Sequence, residues 1–168
     1  MERRSHDYHR HGTTTLFAAL DIATGQVTAA LRPKHRHQEF PAFLNQIERT
    51  YRHVLDEDGR PVALHLVMDN YAAHKHKNLR AWLADNPRFV VHFTPTHASW
   101  MNLVEVWVGI VERQAIRRGV FKSVKDLNAK IRGFIDGWHD RAHPFVWTKT
   151  AEQILTKANR PTTSSPRH

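Results

Sequence analysis

The hydrophobic pattern changes period along the chain, and each change marks an element. Thr13-Thr14-Thr15-Leu16-Phe17-Ala18-Ala19-Leu20-Asp21 reads as a strand, and Ala23-Thr24-Gly25-Gln26 supplies turn residues. Val27-Thr28-Ala29-Ala30-Leu31 returns as a second strand and stops before Pro33, which together predicts a hairpin. From Gln38 to about Leu55 the period lengthens. Phe40, Phe43, Leu44, Ile47, Tyr51 and Val54 fall at steps of three and four, the stripe of an amphipathic helix with Pro41 in its first turn.

A polar loop over 56–61 leads to Val62-Ala63-Leu64-His65-Leu66-Val67-Met68, apolar on both faces apart from His65. A run of that length predicts a strand buried inside a sheet. It stops at Asp69-Asn70. Leu79, Trp82 and Leu83 mark a short helix within 74–86, closed by Pro87, and Phe89-Val90-Val91-His92-Phe93 is a further strand ended by Thr94-Pro95. Strand, helix and strand with short joints predict a parallel, right-handed crossover. A long helical pattern opens near Asn102. A second carries Val124, Leu127, Ile131, Phe134, Ile135 and Trp138 in one stripe. Internal repeats are absent.

Composition sets the bounds. A chain of 168 residues with 40% apolar content holds one domain with a real core, which excludes disorder for its bulk. No apolar stretch is long enough to span a membrane, and the start, Met1-Glu2-Arg3-Arg4-Ser5-His6-Asp7, is not a secretory signal. With no cysteine there is no disulfide, thiol nucleophile or cysteine-ligated zinc. These features fit a cytoplasmic protein. The net charge of +9, with 14 histidines besides, attracts polyanions, of which nucleic acid is the commonest large one. A basic surface kept for solubility gives the same composition, and no helix offers a clear lipid-facing side. Residues 1–12 read as a polar arm, 13–158 as the folded core, and 159–168 as a tail too polar to pack.

Two carboxylates stand out. Asp69 follows directly on an apolar strand, at the end where open α/β sheets gather their chemistry. An Asp there also suits a loop start or a helix cap. Glu105 lies in Met101-Asn102-Leu103-Val104-Glu105-Val106-Trp107-Val108-Gly109-Ile110-Val111, apolar almost all round, which predicts a helix packed on both sides. Asn102, Glu105, Gly109 and Glu112 form a narrow polar stripe along it, and the small Gly109 leaves room for something to approach. An acid in such surroundings is a metal-ligand candidate; a half-exposed Glu at the stripe's edge is the plainer reading. Two carboxylates converging from a strand end and a helix suit magnesium, which takes few protein oxygens and leaves room for water and phosphate.

The alternating histidine pairs, His9 and His11, His35 and His37, His74 and His76, sit among lysines and arginines. They read as solvent or phosphate contacts rather than as a zinc site, which needs three or four ligands around one point. No glycine-rich phosphate loop and no serine nucleophile elbow is present.

Val67-Met68-Asp69-Asn70-Tyr71-Ala72-Ala73-His74-Lys75 resembles the second-aspartate motif of DDE transposases from bacterial insertion sequences of the mariner superfamily. Thr94-Pro95-Thr96-His97-Ala98-Ser99-Trp100-Met101-Asn102-Leu103-Val104-Glu105 resembles that family's final-glutamate motif, and 35 residues separate the two acids. Tyr8-His9-Arg10-His11-Gly12-Thr13, Arg117-Arg118-Gly119-Val120-Phe121 and Pro144-Phe145-Val146-Trp147-Thr148 agree with it, so the likeness runs from Arg3 to Lys157.

The resemblance implies an α/β, ribonuclease-H-like fold, the integrase and transposase catalytic core, with a mixed sheet flanked by helices. It further implies magnesium-dependent DNA cleavage and strand transfer, with manganese able to substitute. Asp69 and Glu105 would be the second and third metal-binding acids and Asn102 a neighbour shaping the site. Arg113, Arg117, Arg118 and Lys122 would hold DNA phosphates, although a solvated helix face accounts for them equally well. The partners implied are transposon ends and target DNA, with a homo-oligomer assembled on them, no membrane, and a nucleoid-associated place in the cytoplasm.

Such enzymes carry a first catalytic Asp on an opening strand upstream of the segment like 8–13. Here no apolar strand ending in an acid precedes that segment; Asp7 lies in a polar arm and Asp21 at the end of what resembles the second strand. The expectation is a core lacking its first strand, its first Asp and the helix-turn-helix part, inactive alone. Two other readings stay open: a non-enzymatic DNA-binding remnant, and a ribonuclease-H-like nuclease that cuts without joining.

Overall fold

The computed structural model describes residues 12–34, 36, 38–68, 79–94, 103–117 and 119–146. Strands β1 (Thr15–Leu20) and β2 (Val27–Arg32) form the expected antiparallel hairpin, in register from Thr15 opposite Arg32 to Leu20 opposite Val27. Helix α1 (Glu39–Tyr51) follows. Strand β3 (Leu64–Met68), helix α2 (Leu79–Asp85) and strand β4 (Phe89–Phe93) come next, with β3 and β4 parallel as the short joints predict. Helix α3 (Leu103–Val111) runs into a π-helical turn (Glu112–Ile116), and α4 (Val124–His139) closes the described elements. None of the described helices is long and apolar enough to cross a membrane.

The hairpin is the middle of three layers. Its small residues, Ala18, Ala19, Ala29 and Ala30, let helices approach both faces. Phe17 and Ala30 pack on Phe43, Leu44 and Ile47 of α1, while Leu16, Ala18, Leu20, Val27, Ala29 and Leu31 meet Trp107, Val111, Ile131 and Ile135. Period-two alternation thus sends neighbouring strand residues into different cores. The turn is tied down as well: Gly25 has φ +75°, the Trp138 indole N–H donates to its carbonyl (2.9 Å), and an added Cβ would collide with the His143 carbonyl. Phe145 N–H donates to the Ile22 carbonyl beside it.

Helix α1 also covers the second sheet. Leu64, Leu66 and Met68 of β3 and Phe89 of β4 join the same cluster as α1, with Leu79 and Trp82 of α2. Arg88 donates to the Tyr51 carbonyl (3.1 Å), placing a cation at the carboxyl end of α1, where the helix dipole favours one. Helix α4 begins with Ser123, whose Oγ accepts from the Asp126 N–H (3.1 Å).

Two expectations are corrected here. β3 is not buried on both faces: Leu64, Leu66 and Met68 point into the core, but Val67 is 47% exposed and His65 lies outward beside it. Helices pack on only one side of the β3–β4 pair among the described residues. Val54, the last apolar position of the α1 stripe, lies past the helix end and is exposed.

Tyr51 links α1 to the hairpin through its hydroxyl, which donates to Asp21 Oδ2 (3.0 Å). Burial first, then the hydrogen bond to Asp21 and its charge, push the phenol above its ordinary range. The fold therefore favours the protonated phenol, and this group's contribution is complete below pH about 10 and lost as pH rises above it. Tyr51→Phe is expected to flatten the alkaline limb of a stability–pH curve, measured by urea denaturation at successive pH values.

Candidate active site

The carboxyl ends of β3 and β4 lie side by side. The Thr94 N–H donates to the Met68 carbonyl (2.9 Å), continuing the parallel ladder to the last residue before Asp69. Thr94 is itself buried. Asp69 and Asn102, and Arg118 among the cations, lie outside the described residues.

Glu105 is placed in the first turn of α3. Leu103, Trp107 and Val111 turn that helix toward the hairpin and α4, so Glu105 falls on the opposite, exposed arc. Among the described residues it has no ion-pair partner. The expectation of a helix packed on both sides is not met: Val106 is 51% and Val108 41% exposed. A run of valines reads the same whether its outer side is covered or open, so composition could not separate the two.

The polar stripe itself is present. Gly109 has the room expected of it, and the Arg113 side chain lies over that room: a Cβ added at Gly109 would stand 3.2 Å from Arg113 Nη1. Arg113 thus reaches back one helical turn over the face that carries Glu105. Arg117 and Lys122 are exposed on either side of the loop after the π turn. None of these three cations is ion-paired with a described residue.

Sequence patterning missed the π turn, whose defining bond runs from the Arg117 N–H to the Glu112 carbonyl (2.8 Å). Continuing α3 as an α-helix would put Gln114 on the arc of Trp107 and Val111. The wider turn places Ala115 in the core and leaves Gln114 outside. Beside it opens a groove of about 460 Å³ lined by Gln114, Lys130, Gly133, Phe134, Gly137 and Arg141. The small residues Ala129, Gly133 and Gly137, four apart along α4, were its signal in the sequence.

Whether magnesium suits these residues turns on the donors. An exposed carboxylate is the hard oxygen ligand magnesium takes, and Glu105, exposed and without an ion pair among the described residues, fits. The described residues hold no group of three His, Cys, Asp or Glu able to bind a metal.

A family model for DDE superfamily endonucleases matches residues 1–128, and the chain belongs to that family. Membership implies a ribonuclease-H-like fold, and the described α/β architecture, two two-stranded sheets with helices, does not conflict with it. Over 121 residues the chain is 29% identical to the "Insertion element IS630 uncharacterized 39 kDa protein" of Shigella sonnei. That stretch is 72% of this chain and 33% of the relative, so the chain spans about a third of the relative's length.

Proposed function

We propose that this chain carries part of the catalytic domain of an insertion-sequence transposase, which cuts and joins DNA with magnesium, or manganese in its place. The observation that carries the reading is the exposed carboxylate of Glu105, without an ion pair among the described residues, on the helix that follows the paired ends of β3 and β4. Asp69 and Glu105 hold the metal ions, and Asn102 shapes the site between them. Bound magnesium supplies positive charge at the attacking and leaving oxygens of an in-line displacement at phosphorus. Arg113, Arg117, Arg118 and Lys122 hold the backbone of transposon ends and target, orienting the scissile phosphate. The two sheets are parts of one ribonuclease-H-like arrangement. Their shared packing on α1 supports this. The active form is a homo-oligomer on DNA, working in the nucleoid.

Arg113, Arg117 and Lys122, exposed and without an ion pair among the described residues, equally favour a second reading, DNA binding without chemistry. One experiment separates the two. The wild-type chain and Asp69→Ala are assayed for plasmid nicking in magnesium and manganese, and for DNA affinity against salt. Any metal-dependent nicking by the wild-type chain is expected to be lost in the variant, with affinity kept within about twofold, because phosphate contacts supply nonspecific binding. A variant that nicks at the wild-type rate removes Asp69 from the site. Salt-sensitive binding with no turnover in either metal establishes the binding reading, and cleavage without joined products a nuclease.

A further inference from the structure

The outward face of the β3–β4 pair carries a histidine pair that the DNA chemistry does not use. His65 stands opposite Val90 and His92 opposite Val67, so the two histidines are diagonal neighbours on one sheet face. Their rings are stacked, with centroids 5.2 Å apart and planes 21° apart. His65 Nδ1 and His92 Nε2 lie 2.9 Å from each other. Both side chains are exposed, and Val67 and Val90 beside them leave the approach open.

Two imidazole nitrogens at that distance share either a proton or a metal ion. With metal–nitrogen bonds of about 2.0–2.1 Å, the separation corresponds to a ligand–metal–ligand angle of about 90°. That is the cis angle of a tetragonal or square-planar site rather than the wider angle of tetrahedral zinc. Each lone pair has to swing by about 45° from its partner to meet at one point, a rotation the broad χ2 of an exposed histidine permits. Adjacent hydrogen-bonded strands hold the two Cα atoms in place, so little ordering is left for binding. The remaining positions are open to water, since the described residues offer no three-ligand cluster.

We propose that His65 and His92 form a two-histidine chelate for a divalent transition metal, copper(II) foremost, separate from the acids that serve DNA. His65 binds through Nδ1 and His92 through Nε2; the proton between the two rings gives way to the metal and the donor ring carries its proton on its other nitrogen, so both imidazoles bind neutral. Copper(II) leads because it combines tetragonal preference with the highest affinity among the first-row divalent ions for nitrogen ligands. The bound ion would bridge β3 to β4 on the face that no described helix covers.

The test titrates the full chain with copper sulfate alone, in a non-coordinating buffer, followed by calorimetry and electron paramagnetic resonance. Because the chain has 14 histidines, the differences between variants are read rather than total uptake. His65→Asn and His92→Asn are each expected to weaken the same single copper equivalent at least tenfold. The double variant is expected to lose no more than either single one, the mark of a chelate. His53→Asn, an exposed histidine away from the pair, is expected to keep every equivalent. Melting temperatures of all variants check that the sheet is intact. The proposal is overturned if the double variant binds copper as the wild type does, which leaves a proton-sharing pair only. It is equally overturned if the two single losses add as independent sites.

Discussion

Glu105→Gln is expected to lower any metal-dependent DNA nicking about a thousandfold while leaving the melting temperature within about 1 °C of wild type. The first half follows from charge. Glutamine keeps the size of the side chain but presents a neutral amide, so a metal held partly by this carboxylate loses a ligand and its compensating charge. A loss of about 4 kcal/mol of transition-state stabilisation corresponds to that factor. The second half follows from the structure. Glu105 is exposed, opposite the buried arc of Leu103, Trp107 and Val111, and makes no ion pair with a described residue. Surface changes of that kind stay within about 0.5 kcal/mol. Activity and stability are therefore expected to part company, and nicking assays beside thermal melts read both. A fall in both together would show that Glu105 supports the fold rather than the chemistry.

What the sequence made legible is what a period can encode. Phe43, Leu44 and Ile47 repeat at helical steps and are buried in α1; the alternation in β1 and β2 sends Phe17 and Ala18 into opposite cores. Coverage is a different matter. Val67 in β3 and Val106 and Val108 in α3 are as apolar as their buried neighbours, yet they face outward, because the number of layers packed on an element is decided by its partners. The π turn has no local signature either, since it answers the need to keep Ala115 rather than Gln114 against the hairpin. For the site, residue type and motif likeness singled out Asp69 and Glu105, and the structure adds the exposure of Glu105. Its neighbour Arg113 was legible as a cation but not as one lying over Gly109, because that placement depends on a side-chain path along the helix. The pairing of His65 with His92 needed the parallel register of β3 and β4, which no spacing in the chain encodes.

Trp107→Ala is expected to be the most damaging change in the core, lowering stability by about 3–5 kcal/mol, or about 10 °C in melting temperature. Trp107 is 1% exposed and sits where the hairpin, α3 and α4 meet, packed with Val27 of the hairpin, Val111 of its own helix and Ile131 and Ile135 of α4. Its ring lies edge-on to Trp138 (6.2 Å between centroids) and tilted against Phe134 (6.4 Å), so its loss empties the centre of an aromatic cluster. Among the described residues the buried indole N–H has no hydrogen-bond partner, and the Asn128 side-chain amide oxygen is in the same condition. An unsatisfied buried donor costs about 1–3 kcal/mol, which offsets part of what the ring contributes. Trp107→Phe removes that donor while keeping an aromatic ring, so it is expected to cost less than about 1.5 kcal/mol. Urea denaturation of the two variants beside wild type separates these terms. If phenylalanine is as damaging as alanine, the indole nitrogen has a partner in solution, and the junction of hairpin, α3 and α4 is held by a hydrogen bond as well as by packing.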